Sequence, residues 1–131
     1  MKNRILITIA AAMISFSACK KHDEDKNAPT IVITSPTANQ TFENGDTVFL
    51  KGTATDEELH ELLLSVNVDN DTTNLFRKMP TVHEMEKYEF NEFFVVSKIK
   101  DSTFVTFKAT ASDHHDHSTT KQVSFWLIDN P

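Results

Sequence analysis

The stretch from residue 103 to residue 128 limits most strongly what this chain can fold into. It contains two runs in which apolar and polar residues alternate, separated by a short polar segment. Because successive side chains of a strand point to opposite faces, this pattern predicts a β-hairpin with its loop at residues 112–118. The residues on the apolar face are Val105, Phe107, Ala109 and Ala111 in the first run, and Val123, Phe125 and Leu127 in the second.

Shorter segments with a strand-like pattern precede the hairpin. They lie at residues 30–34, 41–42, 47–54, 62–68, 74–79 and 88–96, with turn-forming residues between them. A polar loop is predicted at residues 55–58. Propensity alone would also permit a helix over residues 57–64, but the alternation continues through Val68 and favours a strand. About seven short strands without alternating helices predict an all-β fold, an antiparallel β-sandwich of two sheets.

Length and composition fit one small globular domain. The chain has 131 residues, of which 39% are hydrophobic and 24% are charged. A chain of this size can bury a single hydrophobic core. Its formal net charge is −6, and no surface rich in basic and aromatic residues is evident. Because nucleic acid repels such a chain, we exclude a nucleic-acid partner.

The first nineteen residues have the pattern of an export signal. Lys2 and Arg4 form a short basic region, and residues 5–16 form an apolar run. A run of about a dozen residues suits a secretory signal peptide and is too short to span a bilayer. Residues 16–19, Phe-Ser-Ala-Cys, resemble the lipobox of bacterial lipoproteins. This resemblance implies cleavage before Cys19 and lipid attachment to its thiol; an ordinary signal peptide is the alternative.

The predicted organisation of the chain follows from this boundary. Residues 1–18 are the lipoprotein signal peptide, residues 19–28 are the lipidated cysteine with a flexible charged tether, and residues 29–131 are the folded domain. Cys19 is the only cysteine, so no disulfide can form within the chain. Without residues 1–18 the chain keeps 11 basic and 19 acidic groups, a net charge of −8. We predict an outer-membrane lipoprotein of the cell envelope, periplasmic or surface-exposed.

Several short motifs resemble those of bacterial immunoglobulin-like domains. They are Pro-Thr-Ile-Val-Ile at 29–33 with Ser-Pro at 35–36, Phe42 with Gly-Asp at 45–46, Gly-Thr-Ala-Thr-Asp at 52–56, and Ala-Thr-Ala-Ser-Asp at 109–113. Together with the lipobox, they resemble a family of small Gram-negative lipoproteins of unknown function. The resemblance implies an immunoglobulin-like sandwich in the envelope and no particular reaction. Where the family usually has a Gly-Asn turn, this chain has His-His-Asp-His at 114–117.

Metal-capable side chains are concentrated in two predicted loops. In an immunoglobulin-like topology, the loop between the second and third strands lies at the same end as the loop between the last two. Imidazole and carboxylate groups there are suitable ligands for zinc, copper or nickel, so a metal site is one interpretation. The alternatives are a solvated loop that binds no specific metal, or calcium held by Asp56, Glu58, Asp113 and Asp116. The candidate ligands are Asp56, His60, Asp113, His114, His115, Asp116 and His117.

No known catalytic motif is complete in the sequence. His-Glu pairs begin at His60 and at His83, but neither continues to His-Glu-x-x-His, which excludes that class of zinc protease. The nucleophile motif Gly-x-Ser-x-Gly and a phosphate-binding glycine loop are also missing. We therefore predict no enzyme, but a membrane-anchored binding or scaffolding module for an envelope protein or a glycan. A metal-binding lipoprotein is the alternative.

Aromatic side chains on the predicted strands allow a further interpretation. Tyr88, Phe93, Phe104 and Trp126 would form a sugar-binding platform if they faced solvent together. On alternating strands, however, aromatic residues more often contribute to the core. We therefore expect most of the four to be buried, with Trp126 the one nearest to solvent.

Overall fold

The computed structural model describes residues 27–130, which form an all-β domain. The predicted signal peptide at 1–18, Cys19 and the tether as far as residue 26 lie outside the described residues. Within them, no helix is long and apolar enough to cross a membrane. The strands are β1 (Thr30–Ser35), β2 (Thr41–Glu43), β3 (Thr47–Val68), β4 (Asn74–Lys78), β5 (Met85–Val95), β6 (Thr103–Asp113) and β7 (Ser118–Ile128).

The long strand β3 connects the two layers of the fold. Its first half pairs with β1 on one side and β5 on the other, both antiparallel. Its second half pairs with β4 and β6, also antiparallel. β6 continues the second layer to β7, and the short strand β2 pairs with β7 in parallel. All seven strands therefore form one curled sheet whose halves enclose the core.

The core consists of the inward-facing residues of both layers. Phe90 of β5 and Phe107 of β6 meet edge to face across it, with ring centroids 6.2 Å apart. Phe42 and Phe125 make a second edge-to-face contact at 5.5 Å, which holds the short strand β2 against the core. The other fully or nearly fully buried apolar residues are Ile31, Val48, Leu50, Ala54, Leu59, Leu62, Leu64, Val66, Val82, Val96, Val105, Ala109, Ala111 and Leu127.

The structure confirms the predicted all-β immunoglobulin-like fold and its C-terminal hairpin. The turn between β6 and β7 spans residues 114–117, and the predicted apolar face of the hairpin points into the core. Two local predictions were wrong. Residues 55–58 belong to β3 and do not form a loop, since the strand bends from one layer into the other without ending. β5 begins at Met85, earlier than the predicted start at residue 88.

The strand directions show which connections lie at each end of the domain. Thr30 at the start of β1 lies opposite Thr55, where β3 leaves the first layer. The β4–β5 connection and the β6–β7 turn lie at the same end, because Met85 and Asp113 both pair with Leu59. We call this the loop end. The β5–β6 connection and the end of β7 lie at the opposite end.

Candidate functional site at the loop end

The loop end is organised around Leu59, a buried residue at the bend of β3. Leu59 pairs with Asp113 of β6 on one side and with Met85 of β5 on the other. Its carbonyl oxygen accepts a hydrogen bond of 2.8 Å from the amide of Glu84. Three segments that are distant in sequence are thereby fixed side by side. The residues next to these contacts consequently share one surface.

A β-bulge turns His60 toward solvent. The register between β3 and β6 shifts between Leu59 and Glu61, so that His60 has no partner on β6. Leu59 and Leu62 on either side of the bulge are buried, whereas His60 and Glu61 are exposed. A bulge of this kind re-aims a side chain without ending the strand. His60 therefore projects from a rigid position of the sheet.

His83 is held by the connection between β4 and β5. Its neighbour Val82 is buried in the core. The amide of Met85 donates to the carbonyl oxygen of Val82 at 3.0 Å, and Glu84 has a positive φ of 62°. This tight turn, together with the Glu84–Leu59 hydrogen bond, places the exposed imidazole of His83 beside His60.

Asp113 determines the conformation of the turn between β6 and β7. Its buried carboxylate accepts hydrogen bonds from the amides of His115 (2.7 Å) and His117 (2.9 Å). The second carboxylate oxygen lies 2.7 Å from Nδ1 of His117. Burial raises the pKa of Asp113, but the hydrogen bonds from His117 and from the His115 amide outweigh burial and hold the pKa below its ordinary value of 3.8. The carboxylate is therefore part of the turn itself.

Three exposed imidazoles meet on this framework: His60, His83 and His114, which we call the histidine cluster. Nδ1 of His60 lies 3.3 Å from Nδ1 of His83. The ring centroid of His114 lies 4.4 Å from that of His60 and 4.7 Å from that of His83. One nitrogen from each ring lies within 4.8 Å of the others. Within residues 27–130, this is the one group of three or more metal-capable side chains that approach so closely.

The candidate ligands predicted from the sequence do not form one group in the structure. His60 and His114 belong to the cluster, whereas Asp113 and His117 bond to each other within the turn. His115 and Asp116 lie exposed in the same turn. The remaining candidate, Asp56, lies in β3, where its carboxylate accepts a hydrogen bond of 2.9 Å from the amide of Glu58.

His83 was missed by the sequence analysis as a possible ligand. It lies in a segment without clear periodicity, 23 residues after His60. Its position depends on the pairing of β5 with β3, and no local sequence pattern predicts that pairing. The one sequence signal that could have indicated it is a histidine directly before an aromatic strand.

The outer faces of the two layers carry a pair of aromatic residues each. Phe49 and Phe93 lie on the first layer, with ring centroids 6.4 Å apart, and both are exposed. Phe104 and Trp126 lie on the second layer at 4.6 Å, with Trp126 exposed. Tyr88 is half-buried. The four aromatic residues considered for a sugar platform are thus distributed over both layers. The expectation that most of them are buried was wrong, since none is fully buried and Phe93 is more exposed than Trp126.

Comparison with known proteins gives a match to one family model over part of the chain and several solved structures with a similar fold. A family model for a bacterial Ig domain matches residues 29–90. The fibronectin(III)-like modules of Clostridium thermocellum CbhA have 16% identity and a TM-score of 0.46, and the match covers 78% of this chain and 47% of that one. For murine CRIg the identity is 10% and the TM-score 0.45, with coverage of 80% and 100%. No curated protein matches the chain.

An engineered protein of known crystal structure is also similar, with 12% identity and a TM-score of 0.48. The match covers 79% of this chain but 20% of that protein. This chain therefore spans less than two thirds of the length of the engineered protein and of the CbhA modules.

Proposed function

Because this chain carries a bacterial immunoglobulin-like domain, we propose that it is a membrane-anchored envelope lipoprotein whose domain binds or scaffolds a partner and performs no reaction. The fold is consistent with a binding role. The described residues 27–130 contain no cysteine, so a thiol nucleophile is excluded there. The partner is an envelope protein or a glycan.

The observation that carries the anchoring part of this proposal is the position of Cys19. It follows a basic segment, an apolar run and two small residues, and it is the only cysteine of the chain. A diacylglycerol on its thiol, together with an acyl group on its new amine, would hold the domain at a membrane, since two or more chains anchor firmly where one does not. Thr30 begins β1 soon afterwards, so the folded domain would stay close to the bilayer.

Substitution of the cysteine tests this anchor. We expect Cys19→Ala to move the protein from the membrane fraction to the soluble fraction and to abolish incorporation of labelled palmitate. Phe16→Leu is the matched control, because leucine is the residue that the lipobox prefers at this position, and it should leave both readouts unchanged. A Cys19→Ala protein that stays in the membrane fraction and keeps the label would contradict the proposal.

The binding role can be tested separately on the two outer faces of the sheet. Exposed aromatic pairs often form the centre of interaction surfaces. Phe93 and Trp126 lie on opposite layers, so each substitution affects one face. We expect one of the two variants, Phe93→Ser or Trp126→Ser, to lose a specific crosslink between this protein and its partner on intact cells. The other variant should keep that crosslink and serves as the control. A crosslinked product whose added mass is removed by glycosidase would identify a glycan. Formation of the same crosslinks by both variants would exclude these two faces.

A further inference from the structure

We propose that the histidine cluster binds one divalent transition-metal ion, zinc, copper or nickel, through three imidazole nitrogens from His60, His83 and His114. This site is independent of the lipid anchor and goes beyond the binding role proposed above. It differs from the site predicted by sequence, since it includes His83 and leaves Asp113 and His117 to the turn. The argument rests on the distances, the framework and the donor chemistry of the cluster.

The spacing of the three nitrogens is close to that of a metal site. Zinc binds imidazole nitrogen at about 2.0–2.1 Å, so that two ligands in a tetrahedral site lie about 3.3–3.4 Å apart. Nδ1 of His60 and Nδ1 of His83 are already 3.3 Å apart. With His114 included, one nitrogen of each of the three rings lies within 4.8 Å of the other two. Rotation of exposed side chains can close the remaining gap of about 1.5 Å, because such rotations have low barriers.

The backbone under the cluster is fixed before any metal binds. The hydrogen bond from Glu84 to Leu59 positions His83 relative to the bulge that carries His60. The Asp113 carboxylate fixes the turn that begins with His114. A binding site on such a framework loses less conformational entropy on binding than one on a mobile loop. Three imidazoles from three separate segments therefore converge by virtue of the fold, not by proximity in sequence.

The donor set selects the class of metal. Neutral imidazole nitrogen is a good ligand for zinc, copper and nickel, whereas calcium requires six to eight oxygen ligands. The cluster contains three imidazoles and no carboxylate. The Asp113 carboxylate, which a calcium site would need, is buried in the turn and bonded to His117. A fourth coordination position would face solvent, because all three histidines are exposed, and water or a partner's ligand can occupy it.

Glu84 is placed to support one of the ligands from behind. Its Oε1 lies 3.7 Å from Nε2 of His83. Ligation through Nδ1, the nitrogen that faces His60, leaves Nε2 on the side of this carboxylate. Metal-bound histidines commonly donate their other N–H to a carboxylate, which orients the ring and makes it a better ligand. A small rotation of Glu84 would complete this arrangement.

Calorimetric titration of the full chain tests the proposal. The chain is purified in detergent without an affinity tag and with Cys19→Ser, so that no thiol competes for metal, and is titrated with zinc, copper, nickel and calcium chlorides. We expect one ion of zinc, copper or nickel per chain and no comparable binding of calcium. His60→Ala, His83→Ala and His114→Ala should each weaken binding about tenfold or more.

His115→Ala is the matched control, because His115 is exposed in the same turn but lies outside the cluster. It should bind the ion with the affinity of the parent chain. His22→Ala is a second control, for the segment before the domain, and should also keep the parent's affinity. Electron paramagnetic resonance of the copper form should show coupling to three nitrogens, and to fewer in His83→Ala. Weak binding of several ions, a loss in His115→Ala equal to that in His83→Ala, or preferred binding of calcium would each overturn the site.

Discussion

At the scale of single residues, Asp113 shows how a buried carboxylate can stabilise a turn. Its side chain is 1% exposed, and its oxygens accept two amide hydrogen bonds and face the ring of His117. Without these donors, a carboxylate at this depth would be destabilising, because burial disfavours its charged form. The donors reverse this effect and lower the pKa of Asp113.

We expect Asp113→Ala to destabilise the domain by about 1–3 kcal/mol at neutral pH, since the amides of the turn lose their acceptor in a buried position. The folded-state pKa of Asp113 lies below 3.8, so its contribution is fully present above that pH and is lost as the pH falls through the lower folded value. Urea unfolding at pH 7, 5 and 3 measures this. The free energy of unfolding should differ between parent and variant by the same amount at pH 7 and pH 5, and by less at pH 3. The same difference at all three pH values would contradict a lowered pKa of Asp113.

Gly52 is required by close packing within the first layer, where β3 lies between β1 and β5. A Cβ at this position would lie 2.2 Å from the carbonyl oxygen of Val32 and 2.3 Å from the ring of Phe90. We therefore expect Gly52→Ala to destabilise the domain by about 3 kcal/mol, because strand and core must both shift. Gly45→Ala is the control: its φ of +95° strains alanine, but no atom lies within 4 Å of the new Cβ, so we expect about 1 kcal/mol. A smaller loss at Gly52 than at Gly45, measured by thermal or urea unfolding, would contradict this packing.

The sequence identified the histidine-rich turn but not the roles of its members. Five polar side chains within a few residues offer many combinations of ligands, and the pattern alone does not show which of them satisfies the turn's own amides. Asp113 does so because the alternation of β6 directs its side chain inward, on the same face as Ala111. That alternation was visible in the sequence. Extended by two residues, from Ala111 to Asp113, it assigns Asp113 to the interior.

At the scale of elements, β3 defines the fold, and it was predicted as two strands separated by a loop. The apolar alternation of its two halves was recognised correctly, as the burial of Val48 and Leu50 and of Leu64 and Val66 shows. Between them, residues 55–58 are polar and either half-buried or exposed, because the strand there passes from one layer to the other. A strand that leaves a sheet loses the buried face that makes it recognisable. Only the pairing of Leu59 with both β5 and β6 reveals its continuity.

Leu59 should stabilise the loop end in particular, and its substitution tests this. Leu59 and Leu64 are both fully buried on β3, so Leu59→Ala and Leu64→Ala should each cost about 2–5 kcal/mol. We expect hydrogen exchange of the Glu84 amide, which donates to Leu59, to accelerate more in Leu59→Ala than the shared loss of global stability explains. Equal exchange of this amide in the two variants, at equal stability, would show that Leu59 has no special role there.

At the scale of the whole molecule, β1 starts at the end of the domain that carries the histidine cluster. The first strand starts opposite Thr55, where β3 bends, and the three histidines lie around the next residues of that bend. A chain segment spans at most about 3.3–3.6 Å per residue, so the segment between Cys19 and Thr30 reaches no more than about 40 Å. Because the chain enters the domain at the loop end, we expect an anchored domain to present this end to the bilayer more often than the β5–β6 connection.

Single introduced cysteines can measure this orientation, because lipidation of Cys19 would leave the new thiol as the only free one. Asp101→Cys and His115→Cys place a fluorophore before the start and after the end of β6, about 33 Å apart along the strand. In vesicles with a quencher on the lipid headgroup, we expect stronger quenching at residue 115 than at residue 101, after cosedimentation has verified that both proteins are anchored. Equal quenching would mean that the anchored domain has no preferred orientation. Stronger quenching at residue 101 would place the histidine cluster away from the membrane. An ion bound by the cluster would then exchange with the surrounding solution and not at the bilayer surface.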